Sequence, residues 1–252
     1  MIEMSGKVVL VTGGSRGIGA CAARTLARAG AQVILSSVRS AEQARALAAE
    51  AGGGSCHTLQ ADLADPGAAT ALWHEAVAWK GHVDVLVNNA GIYTSCPLES
   101  TLAEWHELWR ETLQVNLIAA ADLCREAIGH FQGRDGGIII NVASRAAFRG
   151  DAVEHMHYGA SKGGLVALTR SIARHYAPQN ILAYTVSPGF TRTDMAQRFI
   201  AAHGEGAAAS DIPMGEIADP EDVGNVIVFL ASGLARHATG TNIDINGASY
   251  MH

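Results

Sequence analysis

Lys7-Val8-Val9-Leu10-Val11-Thr12 runs directly into Gly13-Gly14-Ser15-Arg16-Gly17-Ile18-Gly19, and a helical stretch from Arg16 to Ala29 follows. A short apolar run that ends in a glycine cluster is the pattern of a buried parallel strand. In the turn after such a strand, glycine bends the chain sharply, lets backbone approach a pyrophosphate, and allows the helix to pack close to the sheet. The helix opening there offers unpaired N–H groups and the positive end of its dipole to phosphate. Glycines alone would equally suit a tight βα turn; the strand before and the helix after favour nucleotide binding. The spacing TGxxxGxG differs from GxGxxG and lacks the Gly-Lys-Ser/Thr of a P-loop, which argues against ATP or GTP.

Outward from this loop the same alternation continues. Gln32–Ser37 reads as a strand, Ala41–Ala51 as a helix and Cys56–Ala61 as a strand, with a helix starting at Pro66, a good first-turn residue. Val83–Asn88 and Gly137–Val142 read as strands flanking long helical stretches around 101–132. Tyr158–Tyr176 then reads as helix, Ile181–Ser187 as strand, Pro220–Ala231 as helix and Thr241–Ile245 as a last strand. Unbroken alternation means βαβ crossovers. The expected fold is therefore α/β: one Rossmann-type doubly wound parallel sheet of about seven strands, with helices on both faces, over a single domain 1–252. Ala201–Ser210 (AAHGEGAAAS) is low in complexity and reads as a mobile lid or a poorly ordered loop.

Composition narrows the function. Glycine is in excess, 28 of 252 residues against an average near 7%, without a G-X-Y repeat, so the glycines serve particular turns. A net charge of −6 argues against a nucleic-acid binder. No apolar run approaches the ~18 residues of a membrane span, and the N-terminal Met1–Lys7 has no signal-peptide pattern. Cys21, Cys56, Cys96 and Cys124 form no CxxC pair, which reads as reduced cysteines of a cytoplasmic protein rather than a disulfide or metal set.

The glycine loop resembles that of the short-chain dehydrogenase/reductase (SDR) family, and later segments fit the same family over nearly the whole chain. Asn88-Asn89-Ala90-Gly91 matches the motif after its fourth strand. Asn116 sits at its helix asparagine and Ser144 at its active-site serine, Tyr158-Gly159-Ala160-Ser161-Lys162 is a YxxxK, and Pro188-Gly189 to Thr193 matches PGxxxT. The shared order of these motifs is far more specific than any one of them. The C-terminal Asn246-Gly247-Ala248-Ser249-Tyr250-Met251 is similar to the ending of the 3-oxoacyl-(acyl carrier protein) reductases in that family.

Tyr158 and Lys162, four apart on a helix, share one face. A tyrosine of pKa ~10 is a poor acid/base at neutral pH; a nearby ammonium and a cationic oxidised nicotinamide favour the phenolate. Ser144, after a buried strand, can donate to a substrate oxygen as negative charge develops there. The resemblance implies that Lys162 also holds the nicotinamide ribose and that Asn116 shapes its helix so that water links Lys162 to solvent. Each residue has a bland reading too: a core or surface tyrosine, a capping serine, a buried amide. Their joint positions favour catalysis. Ser144 and Tyr158 are 14 positions apart, about one more than the family leads one to expect.

The second strand ends Leu35-Ser36-Ser37-Val38-Arg39, without the carboxylate that binds an NAD ribose 2′-OH. Arg16 and Arg39 can meet a 2′-phosphate, with Ser37 as a neutral donor. The expected cofactor is NADP(H) rather than NAD(H). The resemblance further implies that Asp62 and Leu63 flank the adenine and that Asn89, Ala90 and Gly91 line the cofactor path. It places Ser15, Gly17, Ile18 and Gly19 with Gly13 at the phosphates. Pro188, Gly189, Thr191 and Thr193 fall at the carboxamide and pyrophosphate.

The substrate is far less legible. A lid spans about 190–214, and Arg145, Phe148, His155 and His157 precede Tyr158 as candidate pocket residues. His155-Met156-His157 lacks a third ligand, and no metal is expected. A 3-oxoacyl thioester is one candidate; a ketone, sugar or polyol is the other. Arg134 falls at a carrier-protein docking position, but Gln179 and Glu216 stand where arginines are expected, so the basic patch looks thin. A non-catalytic dinucleotide sensor is a third reading, disfavoured by the intact Tyr158/Lys162 pair. The family implies a homotetramer or homodimer. Ala119, Ala120, Ala121, Gly163, Gly164 and Ala167 would permit close helix contact, or serve packing within the chain.

Overall fold

A computed structural model describes residues 2–38, 46, 49 and 56–251. Seven parallel strands form one sheet in the order β3-β2-β1-β4-β5-β6-β7. They are β1 Val8–Val11, β2 Gln32–Ser37, β3 Cys56–Gln60, β4 Val85–Asn88, β5 Gly137–Val142, β6 Ile181–Pro188 and β7 Asn242–Ile245. The strand readings hold to within two residues. Of the expected helix Ala41–Ala51 only residues 46 and 49 are described, and Arg39 lies outside the described residues.

Successive residues of each central strand face opposite ways, and both faces are covered. Val9, Val11, Val33, Leu35, Val85 and Val87 meet helices α1 (Gly17–Arg28) and α9 (Pro220–Ala231) in one core. Val8, Leu10, Ile34, Leu86 and Ile139 meet α2 (Ala68–Lys80), α4 (Ala119–Gln132) and α6 (Met156–Tyr176) in the other. This two-sided burial is why the strands read as continuous apolar runs rather than as an alternation. The sheet changes direction between β1 and its neighbours β2 and β4, and the carboxyl ends at such a switch point form the crevice where ligands bind in this architecture.

Two local devices shape that crevice. Helix α3 (Leu102–Leu113) starts with a capping box in which Thr101 accepts from the Glu104 N–H and Glu104 accepts from the Thr101 N–H. It passes into α4 through a π-helical turn, Gln114–Ile118, and Asn116 sits in that turn. An extra residue in a helical turn re-aims a side chain, a feature frequent at functional sites.

The segment read as a mobile lid or a poorly ordered loop is largely helical. Asp194–His203 forms α7 and Glu205–Ala209 forms α8. Ala208, Ile212 and Ile217 make a small core of their own, with Phe190 and Ile200 packed on it. Alanine is the strongest helix former, so its abundance favours helix as much as low complexity suggests disorder. Ion pairs fasten the segment: Arg192 reaches Glu205 at 2.7 Å and Asp219 at 3.2 Å, and Arg149 holds Asp211. The small residues of the long helices are partly used within the chain: Ala119 and Ala120 are buried, and a Cβ on Gly164 would lie 2.8 Å from Leu117.

Candidate active site

The glycine loop is fixed by side chains from the neighbouring strand end. Thr12 Oγ1 accepts from the backbone N–H groups of Asn89 and Ala90, both at 3.0 Å. The Asn89 amide donates to the Thr12 and Gly13 carbonyls at 2.9 and 3.1 Å. Asn89 thus supports the loop with its side chain. Gly13 and Gly17 have φ of +64° and +54°, a region that a β-carbon disfavours. At Gly19 an added Cβ would lie 2.3 Å from the Gly13 carbonyl oxygen, so only glycine lets the helix start this close to the loop. No side chain caps α1 and no acid occupies its first turn, which leaves its N–H groups available to an anion.

The loop after β6 closes over this cradle. A Cβ on Gly17 would meet Thr193 Cγ2 at 3.1 Å, and Arg16 pairs with Asp194 at 3.5 Å. Thr191 donates to the Gly189 carbonyl and Thr193 to that of Thr191. Gly189 itself lies against Asn246, where a Cβ would come within 2.7 Å, and Pro188 ends β6. At the far edge Ser37 is buried at the end of β2, and Gly14 donates to the Ser36 carbonyl. Asp62 is exposed and accepts from the Ala64 N–H, whereas the Leu63 side chain is packed in the core, leaving only its backbone to a ligand. Ser15 and Ile18 stay partly accessible beside the loop.

Asn116, Lys162, Tyr158 and Ser144 come together at the ends of β4 and β5. Asn116 Oδ1 accepts from the Ile92 N–H at 2.8 Å, while its amide reaches the Ile92 carbonyl at 3.0 Å and Ser161 Oγ at 3.1 Å. Ser161 donates to the Tyr158 carbonyl at 2.7 Å, coupling the asparagine to the helix that carries Tyr158. Sequence reasoning missed Ser161, although it occupies one of the open positions of the YxxxK motif. Lys162 Nζ, buried, donates to the Val142 carbonyl at 2.9 Å and lies 5.8 Å from the centre of the Tyr158 ring. Gly91 is the meeting point: a Cβ there would come within 3.3 Å of Asn116 Oδ1 and 3.4 Å of Lys162 Nζ. Ser144 accepts from the Ala146 N–H, at the start of the short helix α5, Ala146–Arg149.

The electrostatics refine the expected role of Lys162. Burial pushes the Tyr158 phenol up to about 12; a hydrogen bond with Ser144 opposes this, and the Asp151 carboxylate adds to it. Burial also pulls the Lys162 ammonium down to about 8. Lys162 gives one of its three N–H donors to Val142, and at Tyr158 desolvation outweighs the Ser144 hydrogen bond. A cationic ligand beside the phenol acts in the same direction as that hydrogen bond.

Around Tyr158 stand groups that sequence reasoning listed only in part. Tyr93 sets its ring edge-on to Tyr158 at 4.8 Å, stacks on His155 at 3.8 Å and donates to Asp151 at 3.2 Å. His155 Nδ1 lies 3.1 Å from the Thr94 carbonyl. His157 is buried against Trp109, and burial lowers its pKa. The two histidine rings stack at 6.4 Å, and no trio of His, Cys, Asp or Glu suited to a metal gathers among the described residues. The longer Ser144-to-Tyr158 interval holds α5, a left-handed turn at Gly150 and a 3₁₀ turn at Val153–His155. Arg145 lies beside Ser144, with Asp211 of the lid within 3.7 Å.

A family model described as enoyl-(acyl carrier protein) reductase matches residues 13–248, spanning the glycine loop, the Tyr158/Lys162 helix and the segment 190–214. The chain belongs to the short-chain dehydrogenases/reductases. Among its SDR relatives, the 3-oxoacyl-[acyl-carrier-protein] reductase of Aquifex aeolicus is 35% identical, covering 99% of both chains. The L-rhamnose 1-dehydrogenase (NAD(P)(+)) of Azotobacter vinelandii is 39% identical over 98% of this chain and 97% of its own. The 3beta-hydroxysteroid dehydrogenase 1 of Eggerthella lenta is 34% identical over 99% and 96%. A dehydrogenase/reductase from Sinorhizobium meliloti 1021, solved by crystallography, superposes with a TM-score of 0.88 at 35% identity, covering 99% and 97%. The chain is thus an oxidoreductase of CH–OH or carbonyl groups that uses a nicotinamide dinucleotide. The cradle fits that cofactor: positive-φ glycines and an uncapped helix suit a pyrophosphate, and Gly91 keeps the approach to Lys162 clear.

Proposed function

We propose that this SDR interconverts a carbonyl and a secondary alcohol with NADP(H), using Tyr158 as acid/base. The observation that carries the reading is the convergence of Asn116, Ser144, Tyr158 and Lys162 at one strand-end crevice, with the glycine cradle beside it. The bound dinucleotide supplies or accepts the hydride. Tyr158 Oη gives its proton to the substrate oxygen during reduction and takes it back during oxidation. Ser144 Oγ, hydrogen-bonded to the phenol before substrate binds, turns its one O–H to the same oxygen as charge builds on it. Lys162 lies where it can carry a ribose, and Asn116 and Ser161 fix the helix turn that positions Tyr158.

NADP(H) preference rests on charge. β2 ends in Ser36 and Ser37, followed by Val38, with no carboxylate to repel a 2′-phosphate, and Arg16 is 70% exposed beside the cradle. Of the two substrate readings, docking of an acyl carrier protein has the weaker support. Arg134 is engaged with Asp84 at 3.7 Å, and Gln179 with Gln132 at 2.8 Å, so the basic patch stays thin. A small ketone, sugar or other alcohol is favoured. The chain acts as one domain with the lid 190–214 over the site, and associates as a dimer or tetramer through its long helices, a point that light scattering checks. The deciding experiment measures kcat/KM for NADPH and NADH with acetoacetyl thioesters and with a ketone and polyol panel. A clear NADH preference overturns the cofactor assignment, and no turnover of any carbonyl overturns the reaction.

A further inference from the structure

The residue after Ser144 carries a charge that nothing in the proposed reaction uses. Arg145 is half-buried, at 15% side-chain exposure, and its buried Nη1 has no hydrogen-bond partner among the described residues. A guanidinium carries five N–H donors and keeps its charge, so a buried one without a close acceptor is costly. Burial and the neighbouring Arg149 both press its pKa down, against the pull of Asp211, Asp151 and Tyr93.

The nearby carboxylates are already engaged. Asp211 bonds to Arg149, which also reaches the Ser249 carbonyl, and this pair suffices to tie the lid to α5. Arg145 stays 3.7 Å from the same carboxylate oxygen, beyond hydrogen-bond distance. Asp151 accepts from the Tyr93 hydroxyl and the Ala152 N–H through one oxygen. Two guanidinium groups therefore share one bonded carboxylate, and the unsatisfied one is adjacent in sequence to Ser144. It is within electrostatic reach of Tyr93, whose ring touches that of Tyr158.

Resting on the oxidoreductase reading above, we infer that Arg145 binds a carboxylate of the substrate, and that this enzyme acts on hydroxy or oxo acids. A planar carboxylate matches the guanidinium fork and satisfies the bare N–H, whereas a neutral alcohol supplies less. The lid then closes over the acid, with Arg149 still holding Asp211. Specificity comes from the buried donor left unpaired when the carboxylate is missing.

The test compares 3-hydroxybutyrate with 1,3-butanediol, which differ by a carboxylate against a hydroxymethyl group. Calorimetry is run on the full chain saturated with NADP+ in the Tyr158→Phe background, where binding is read without turnover. The acid is expected to bind at least tenfold more tightly, and Arg145→Met to abolish that preference, with Arg145→Lys keeping part of it. Equal affinities, absence of binding to either included, overturn the inference, as does a preference that survives Arg145→Met. Should Arg145→Met fail to fold, the comparison with Arg145 in place still decides. Failure of the reaction reading appears separately, as turnover persisting in Tyr158→Phe.

Discussion

Replacing Thr12 by valine keeps the shape of a buried side chain and removes one oxygen. That oxygen accepts from two backbone donors, Asn89 N–H and Ala90 N–H, each at 3.0 Å. A buried donor left without a partner costs about 1–3 kcal/mol. Asn89 and Ala90 are half-buried and water offsets part of the loss, so the expected destabilisation is about 2–4 kcal/mol. That is a large share of the ~5–15 kcal/mol typical of a folded protein. The assay is urea unfolding, read as a lower midpoint at unchanged slope. Because Asn89 ties the loop through the Thr12 and Gly13 carbonyls, NADP+ affinity is expected to fall about tenfold, or ~1.4 kcal/mol. Thr12→Ser, which keeps the oxygen, should lose less than ~1 kcal/mol. A Thr12→Val loss below ~0.5 kcal/mol with NADP+ affinity intact would refute the claim that this hydroxyl holds the loop.

Asn141 is fully buried; it accepts from Asn88 at 2.9 Å and donates to Thr169 at 2.8 Å. Asn141→Ala should therefore cost about 2–4 kcal/mol in urea unfolding; a loss under ~1 kcal/mol would show the network to be idle. Lys162, held at about 8 in the fold against ~10.4 in the unfolded chain, gives a pH signature. Below pH 8 both states keep the proton; between about 8 and 10 only the unfolded state does, so stability rises with pH there. Relative to Lys162→Met, the native chain should gain about 1–3 kcal/mol from pH 8 to 10, and a flat difference would contradict the burial of the amine. Gly19→Ala should weaken NADP+ binding at least tenfold, since its Cβ has only 2.3 Å to the Gly13 carbonyl oxygen; equilibrium dialysis reads this, and unchanged affinity would count against the cradle.

The central strands were legible because burial on both faces makes them short apolar runs between turn residues, as in Val8–Val11 and Ile181–Pro188. Asn116, Ser144, Tyr158 and Lys162 were legible because their order along the chain resembles that of a family; their convergence is a matter of two strand ends, the π-helical turn and one helix. Three things were not. Ala201–Ser210 was read as a mobile lid or a poorly ordered loop because AAHGEGAAAS is simple, although alanine-rich segments form helix once Ala208 and Ile212 have something to bury against. The π-helical turn at Gln114–Ile118 has no sequence signature, since one extra residue leaves the local pattern nearly unchanged. The contacts of Ser161, Tyr93 and Arg145 depend on which residues face one another across elements far apart in sequence. Lys162 was expected to tune Tyr158 beside a cationic nicotinamide and to hold the ribose; what the sequence did not show is its hydrogen bond to Val142 and the desolvation that dominates both groups.

The most direct test of the account is Tyr158→Phe. It removes one oxygen from a ring that packs against Tyr93 and leaves the glycine cradle and Lys162 in place. Turnover with any carbonyl or alcohol substrate should fall by about a thousandfold or more, within the ~10²–10⁴ range of lost proton transfer, while the NADP(H) dissociation constant changes less than about threefold. Turnover retained within about tenfold of the unaltered enzyme would contradict the assignment of Tyr158 as the acid/base.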